Sequence, residues 1–402
     1  MSRSRGATAL ALGSATTGVL AYVFFGLVTR ALGAEAAAPV AVLWTYWSFA
    51  AAALTFPLQH WAVRAVVAAG GLEGSVRRAL PPIAALTLAA SLLAGIATWA
   101  IRDSLFHRDG WTFPLLVVAV TVGSAFLGIV RGILTVRNRL VAVGLLLVAE
   151  NAVRCLLAAV LMAGDVTESG YYGLALVAGQ LVGFAWPSAM RLGRTGPTDQ
   201  GWLRFVAGAS GGQVISQVVL TGGPVVLALL GGSPAQVTGL FVALALFRAP
   251  YTLALGAVSP ATGVLTRLVV AEQHAAIRRV LAALVAITAL GVGLAAVVGW
   301  FAGPALLRLV FGESIDVSAQ VCLLTAVGSA FSLGTLLLSL VAMAHDRSHT
   351  TLRSWVVAAL AAAATIVVGP GTALTTVTVA FLVAQLVAFT TLLTEQLVAK
   401  PR

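Results

Sequence analysis

Apolar and polar positions in this chain alternate in long blocks, not at the short period of an amphipathic helix or strand. Stretches of twenty or more apolar residues are separated by short knots rich in Arg, Asp, Glu, Gly and Pro. About twenty apolar residues are what an α-helix needs to cross a hydrocarbon core roughly 30 Å thick. The blocks predict spans near 7–29, 39–62, 79–101, 112–136, 140–163 and 170–190. After a polar stretch at 191–204, they predict further spans near 203–230, 235–259, 278–303, 317–343, 351–369 and 373–397. The expectation is an all-α polytopic membrane protein with about twelve transmembrane helices in two six-helix lobes. The lobes would be 1–190 and 205–402, joined by a cytoplasmic linker at 191–204.

The N-terminus has the outline of a secretory signal: Arg3 and Arg5, an apolar run from about Ala7 to Val28, then Ala31-Leu32-Gly33-Ala34. That run is too long for a signal-peptide core and eleven more like it follow, so it reads as the first span.

Composition strengthens this picture. Of 402 residues, 60% are hydrophobic and 9% charged, against roughly 25% charged in a soluble domain. So few charges cannot coat a water-facing surface. The net charge of +11 would suggest nucleic acid in a soluble protein, but here its distribution gives a different cause. With the N-terminus in the cytoplasm, 17 of the 24 basic residues fall in cytoplasmic segments. Four (Arg30, Arg102, Arg108 and Arg308) fall outside, and three lie within spans. The acids Asp103, Asp109, Asp165, Glu168, Glu313 and Asp316 fall outside. An error of one span would scramble this alternation, so the positive-inside rule supports twelve spans with both termini cytoplasmic, in a plasma or inner cell membrane. No nucleic-acid partner is expected.

The halves also resemble each other. Leu32-Gly33, a Pro-containing span and Arg77-Arg78-Ala79-Leu80 match Leu230-Gly231, a Pro-containing span and Arg278-Arg279-Val280-Leu281. Six spans per half would give parallel repeats, an arrangement that transporters use to bind substrate between halves and rock.

Motifs that would mark an enzyme lie in the wrong context. Gly208-Ala-Ser-Gly-Gly212 fits a nucleophile elbow but falls inside an apolar helix, without the strand-to-helix turn that chemistry needs. Close packing through small residues is the expectation there, as for Gly179 with Gly183 and Gly299 with Gly303. A Walker loop needs Gly-Lys-Ser/Thr, and the only lysine is Lys400. Cys155 and Cys322 lie in apolar segments, and His345-Asp-Arg-Ser-His349 offers no third convergent ligand. The external loop Phe106-His-Arg-Asp-Gly110 is too short for a glycosyltransferase site. No metal, cofactor or catalytic residue is expected.

The candidate chemistry lies in the charges inside the spans: Arg131, Glu150, Arg154 and Arg248. Each is costly in lipid and is expected to face the bundle interior or a wet cavity. Glu150 and Arg154, four apart, meet on one face of span 5, about 15 Å deep. They are either a self-neutralising structural pair or part of a site in which Glu150 carries a coupling proton. Arg248 lies at mid-depth beside Pro250, with no acid in its own span. Arg131 shares a face with Thr121, Ser124, Gly128 and Thr135, about 9 Å from Arg137, so it either lines a cavity or snorkels. Span 7 adds a polar face of Ser210, Gln213, Gln217 and Thr221 and a break at Gly222-Gly223-Pro224. Span 1 has a comparable soft stretch through Gly13-Ser14, Thr16-Thr17 and Gly18. More Arg than acid in a cavity suits an anionic substrate, because guanidinium groups match phosphate oxygens bidentately.

Three motifs carry a family resemblance spread over nearly the whole chain. They are Val28-Thr-Arg30-Ala-Leu32-Gly33, Phe247-Arg248-Ala249-Pro250 running to Ser259-Pro260, and Leu306-Leu-Arg308-Leu-Val-Phe311-Gly312-Glu313. In order and spacing they resemble the polysaccharide exporters, the Wzx-like flippases, of the multidrug/oligosaccharidyl-lipid/polysaccharide (MOP) superfamily. The resemblance implies export of a polyprenyl-diphosphate-linked sugar from the cytoplasmic to the external leaflet. It also implies partnership with a glycan polymerase or membrane glycosyltransferase. By this analogy Arg248, Arg154 and Arg131 would contact diphosphate, and Ser210, Gln213, Gln217 and Thr17 would line the sugar path. Two rival readings are a cation-coupled small-molecule exporter and a non-transporting partner of a glycosyltransferase. Span 1 lacks the interior acid of some drug exporters and the interior bases of several flippases, and twelve spans omit the extra pair typical of lipid II flippases.

Overall fold

In the computed structural model, residues 3–193, 195–196, 201–255, 265, 268–269, 271, 273–345, 348–369 and 371–398 are described. Part of the expected linker (Arg194 and 197–200), the end of span 8 through Ser259-Pro260, Arg267, Arg347, Lys400 and Arg402 lie outside the described residues. The described residues contain helices and turns and no strand.

The first apolar stretch, Leu12–Ala68, is helical over 57 residues. At 1.5 Å per residue that is about 85 Å, far more than one bilayer crossing. It is divided at Gly33, whose φ of 75° favours glycine, giving α1 (3–32) and α2 (34–68). Within α2 a π turn at Ala51–Thr55 precedes Pro57. Then follow α3 (Gly74–Ala100), a short α4 (Arg102–Phe106), α5 (Thr112–Val136) and α6 (Leu140–Ala163). Span 6 is α7 (Ser169–Ala178), a 3-10 stretch (Gly179–Ala185) and α8 (Pro187–Met190). Span 7 is α9 (Trp202–Thr221) and α10 (Gly223–Leu229), bent by 67°. Span 8 is α11 (Pro234–Phe247) and α12 (Ala249–Leu255). The remaining helices are α13 (His274–Phe301), α14 (Gly303–Phe311), α15 (Ala319–Ala344), α16 (Ser348–Val368) and α17 (Ala373–Val398). Among the described residues, eight continuous helical stretches, with Leu12–Ala68 counted as one, are long and apolar enough to cross a membrane, or nine if the bent pair is one span. This is a multi-pass α-helical membrane protein.

The chain divides into two compact units, Met1–Gln217 and Val218–Arg402. The division falls inside α9, later than the expected linker at 191–204. The reason is local. Val206, Trp202 and Phe205 pack with Leu58, Trp61 and Ala62 of α2, Arg64 stacks over Phe205, and the Ser210 hydroxyl donates to the Ala53 carbonyl at 2.6 Å. The first part of α9 thus belongs to the first unit's core.

Small residues set the helix spacing in each unit. On α5 of the first unit, a Cβ at Gly128 would sit 2.7 Å from the Thr55 carbonyl, and one at Gly132 would sit 2.7 Å from Ala62 Cβ. The α2 and α5 backbones therefore run close, and the Thr55 hydroxyl donates to the Ser124 carbonyl at 2.9 Å. In the second unit Gly299 meets the Cys322 carbonyl and Gly303 the Cys322 side chain, while Gly328 and Gly334 receive Phe381 and Phe389. Gly208 and Gly211 behave otherwise. No described atom lies within 4 Å of a Cβ built at either.

The repeat-like sequence landmarks take matching local forms. Gly33 and Gly231 both have positive φ, 75° and 79°. Short helices, α4 and α14, follow the third and ninth spans.

Candidate functional site

The first unit gathers three of the four predicted intramembrane charges. Arg131 of α5 and Arg154 of α6 both bond Glu150 of α6, Arg131 through Nη2 to Oε2 and Arg154 through Nη2 to Oε1 at 2.6 Å. Relative exposures of 6%, 1% and 0% leave water almost no access to them. Arg154 further donates from Nε to the Leu176 carbonyl at 2.9 Å and from Nη1 to Asn151 Oδ1 at 3.3 Å. The Leu176 acceptor lies where α7 tightens into 3-10 geometry, a transition that shifts bonding from i−4 to i−3 and leaves a carbonyl over. The Arg154 guanidinium lies over Trp47 at 4.5 Å and near Trp44 at 5.7 Å. Gly179 makes room for it: a Cβ there would lie 2.6 Å from Arg154 Nε. Arg131 Nε is buried without a partner.

Sequence spacing gave the Glu150–Arg154 pair but not the third member, and it missed Trp44, Trp47, Asn151 and Gln180. Gln180 is 1% exposed and donates to the Val120 carbonyl and Ser124 Oγ, while its own Oε1 is unpartnered. Trp44 and Trp47 did leave a signal. They lie well inside the second apolar block, whereas membrane tryptophans concentrate at interfaces.

The second unit presents Arg248 differently. It occupies the junction between α11 and α12, with φ −86° and ψ 1°, and its side chain is half-buried. Its Nη1 donates to the Leu220 carbonyl at 2.6 Å. That carbonyl would ordinarily accept from the N–H four residues on, but residue 224 is proline and has none. Arg248 therefore caps the acceptor that Pro224 leaves at the bend of span 7. The first unit holds a neutral counterpart. There the Ser210 hydroxyl donates to the Ala53 carbonyl, in the π turn that precedes Pro57.

Thr17 is half-buried with its hydroxyl unpartnered. Gln213 is exposed and Gln217 half-buried.

Outside the spans, Arg137 makes a bidentate bond to Glu73, both contacts at 2.6 Å, and donates to the Ser188 and Arg191 carbonyls at 2.6 and 3.1 Å. This hydrogen-bonded pairing holds the Glu73 carboxyl below the usual range and raises Arg137 further.

The chain has the fold of the MOP superfamily. It is similar to an inward-facing multidrug-resistance MATE-family transporter of that superfamily, with a TM-score of 0.71, 15% identity and 94% of each chain covered. It is also similar to the lipid II flippase MurJ in an inward closed conformation, with a TM-score of 0.67 and 14% identity over 96% of this chain and 87% of that one. The eukaryotic MATE transporter AtDTX14 aligns with a TM-score of 0.65 and 14% identity over 99% and 96%. No protein-family model matches the chain, and no curated protein matches it by sequence.

Proposed function

We propose that this protein is a flippase that moves a polyprenyl-diphosphate-linked oligosaccharide from the cytoplasmic to the external leaflet by alternating access, with both termini in the cytoplasm. The observation that carries the reading is the charge well inside the spans, away from their ends, where Arg131, Arg154 and Arg248 accompany Glu150 among the described residues. That acid is bonded to two of them, so the excess charge favours an anionic head group. The Wzx-like motifs agree, and the fold also serves a lipid II flippase.

The two units divide the work. Arg131 and Arg154 both bond Glu150, and we assign the first diphosphate contact to Arg248, whose Nη1 donates to the Leu220 carbonyl. Thr17, Gln213 and Gln217 are offered as the polar lining of the sugar path; the Ser210 hydroxyl is already taken by Ala53. A glycan polymerase or glycosyltransferase is the expected partner. A cation-coupled exporter needs a carboxylate open to water, and both oxygens of Glu150 accept from guanidinium groups.

The test is cellular and then reconstituted. Deletion is expected to build up lipid-linked precursor on the cytoplasmic face. Proteoliposomes are expected to move a fluorescent polyprenyl-diphosphate sugar with or without a pH gradient. No precursor build-up, or transport of a cationic drug instead, would overturn the reading.

A further inference from the structure

Arg248 bonds a carbonyl whose need for a donor is created by a proline in another helix, which gives its guanidinium a second consequence. Leu220 is the next-to-last residue of α9, immediately before the bend, and Pro224 opens α10 just after it. The bend of 67° and the missing N–H have one origin, because proline both kinks a helix and orphans the carbonyl four residues back. A carbonyl in that position inside a membrane needs a replacement donor. The Arg248 guanidinium supplies one at 2.6 Å, and its position at the α11–α12 junction ties one helix break to another within the second unit. Gly222 constrains the site further. A Cβ there would lie 2.4 Å from the Val218 carbonyl, which the Gly222 N–H bonds at 2.8 Å, so any larger residue would crowd the last turn of α9.

We propose that the Leu220 carbonyl and an anionic head group compete for Arg248, so that ligand binding is coupled to the bend of span 7. This rests on the assignment of Arg248 to the head group. With no ligand, the charge-assisted bond stabilises the bent form. A diphosphate draws the guanidinium off and leaves the carbonyl without its donor, which removes part of what favours that bend. The bend and the ligand then bias one equilibrium from two sides, as a coupling between sites requires. Pro224 is the element that makes Leu220 dependent on Arg248. With an N–H at residue 224 the carbonyl is satisfied from its own helix, and the two events separate.

The experiment places spin labels at Leu203 and Leu229, both exposed and on either side of the bend, with Cys155 and Cys322 replaced by alanine. Distances are measured in nanodiscs with and without a short-chain polyprenyl-diphosphate sugar, and binding of that probe is measured in parallel. The unaltered chain is expected to bind the probe and to shift its distance distribution on doing so. Pro224→Ala is expected to bind within about threefold of it, a change small beside coupling factors of about 5–150-fold, while its distribution no longer responds. Arg248→Gln is expected to show the shifted distribution without probe and to bind at least about tenfold more weakly, the loss of a charge-assisted contact. If Pro224→Ala is not recovered as a folded protein, the Arg248→Gln distribution without probe decides. A probe-dependent shift retained in Pro224→Ala overturns the coupling alone. So does an unshifted Arg248→Gln distribution. Failure of the unaltered chain to bind the probe overturns the head-group assignment and the coupling together.

Discussion

The arginines of the two units are held in opposite ways. In the first unit Arg131 and Arg154 close on Glu150, and Arg154 adds two tryptophan faces, an asparagine and a backbone carbonyl. In the second unit Arg248 is fixed by a carbonyl that a proline leaves over. An arginine locked to a buried carboxylate cannot be released without exposing an unpaired charge. One bonded to a neutral carbonyl can exchange acceptors at far lower cost. On the proposed reading it is the partner of each arginine, and not burial alone, that sets Arg248 apart from Arg131 and Arg154.

The largest effect should come from breaking the first arrangement. Glu150→Gln leaves two buried guanidinium groups without their counter-ion and is expected to cost about 3–5 kcal/mol, read as lost thermal stability in detergent. Replacing all three charges together (Arg131→Met, Glu150→Leu, Arg154→Met) should recover most of that loss. Persistent instability of the triple variant would show that the cluster does more than balance its own charge.

A smaller effect is expected where glycine sets the spacing of α2 and α5. Gly132→Ala places a methyl group 2.7 Å from Ala62 Cβ and 3.0 Å from the Gln59 carbonyl, an overpacking worth about 1–3 kcal/mol. An unchanged unfolding temperature would contradict the close approach of α2 and α5. Ser210→Ala should cost about 1 kcal/mol by leaving the Ala53 carbonyl unfilled, and Ser210→Thr, which keeps the hydroxyl, should restore part of it.

The mildest effect lies at the Glu73–Arg137 pair. Glu73 gives up its proton more readily in the fold than in the unfolded chain, because Arg137 bonds its carboxylate. The stability it contributes is therefore present above the ordinary carboxylate range and is lost as pH falls through the lowered value. Arg137→Ala should lower the unfolding temperature by about 2–4 °C at neutral pH and flatten this acid dependence. A variant as acid-sensitive as the original would place the titrating group elsewhere.

Much of the fold was legible because apolar length is a strong signal. The expected spans 112–136 and 140–163 coincide with α5 and α6, where polar knots bound uninterrupted apolar runs. The break in span 7 was legible at Gly222-Gly223-Pro224, where proline removes an N–H from the helix. The site was only partly legible. Spacing along one helix revealed Glu150 with Arg154, but the contact from Arg131 depends on how α5 is rotated against α6, which sequence period does not define. The partner of Arg248 was hidden for another reason, because a backbone carbonyl has no sequence signature beyond the proline four residues on.

The most direct test compares the two kinds of arginine by transport. Leaflet-resolved movement of a fluorescent polyprenyl-diphosphate sugar should be measured in proteoliposomes for the unaltered chain and for Arg248→Gln at equal protein content. Movement should fall at least about tenfold in Arg248→Gln, while its unfolding temperature stays within a few degrees. An Arg248→Gln protein that moves the lipid as fast as the original would contradict the assignment of Arg248 as the working charge.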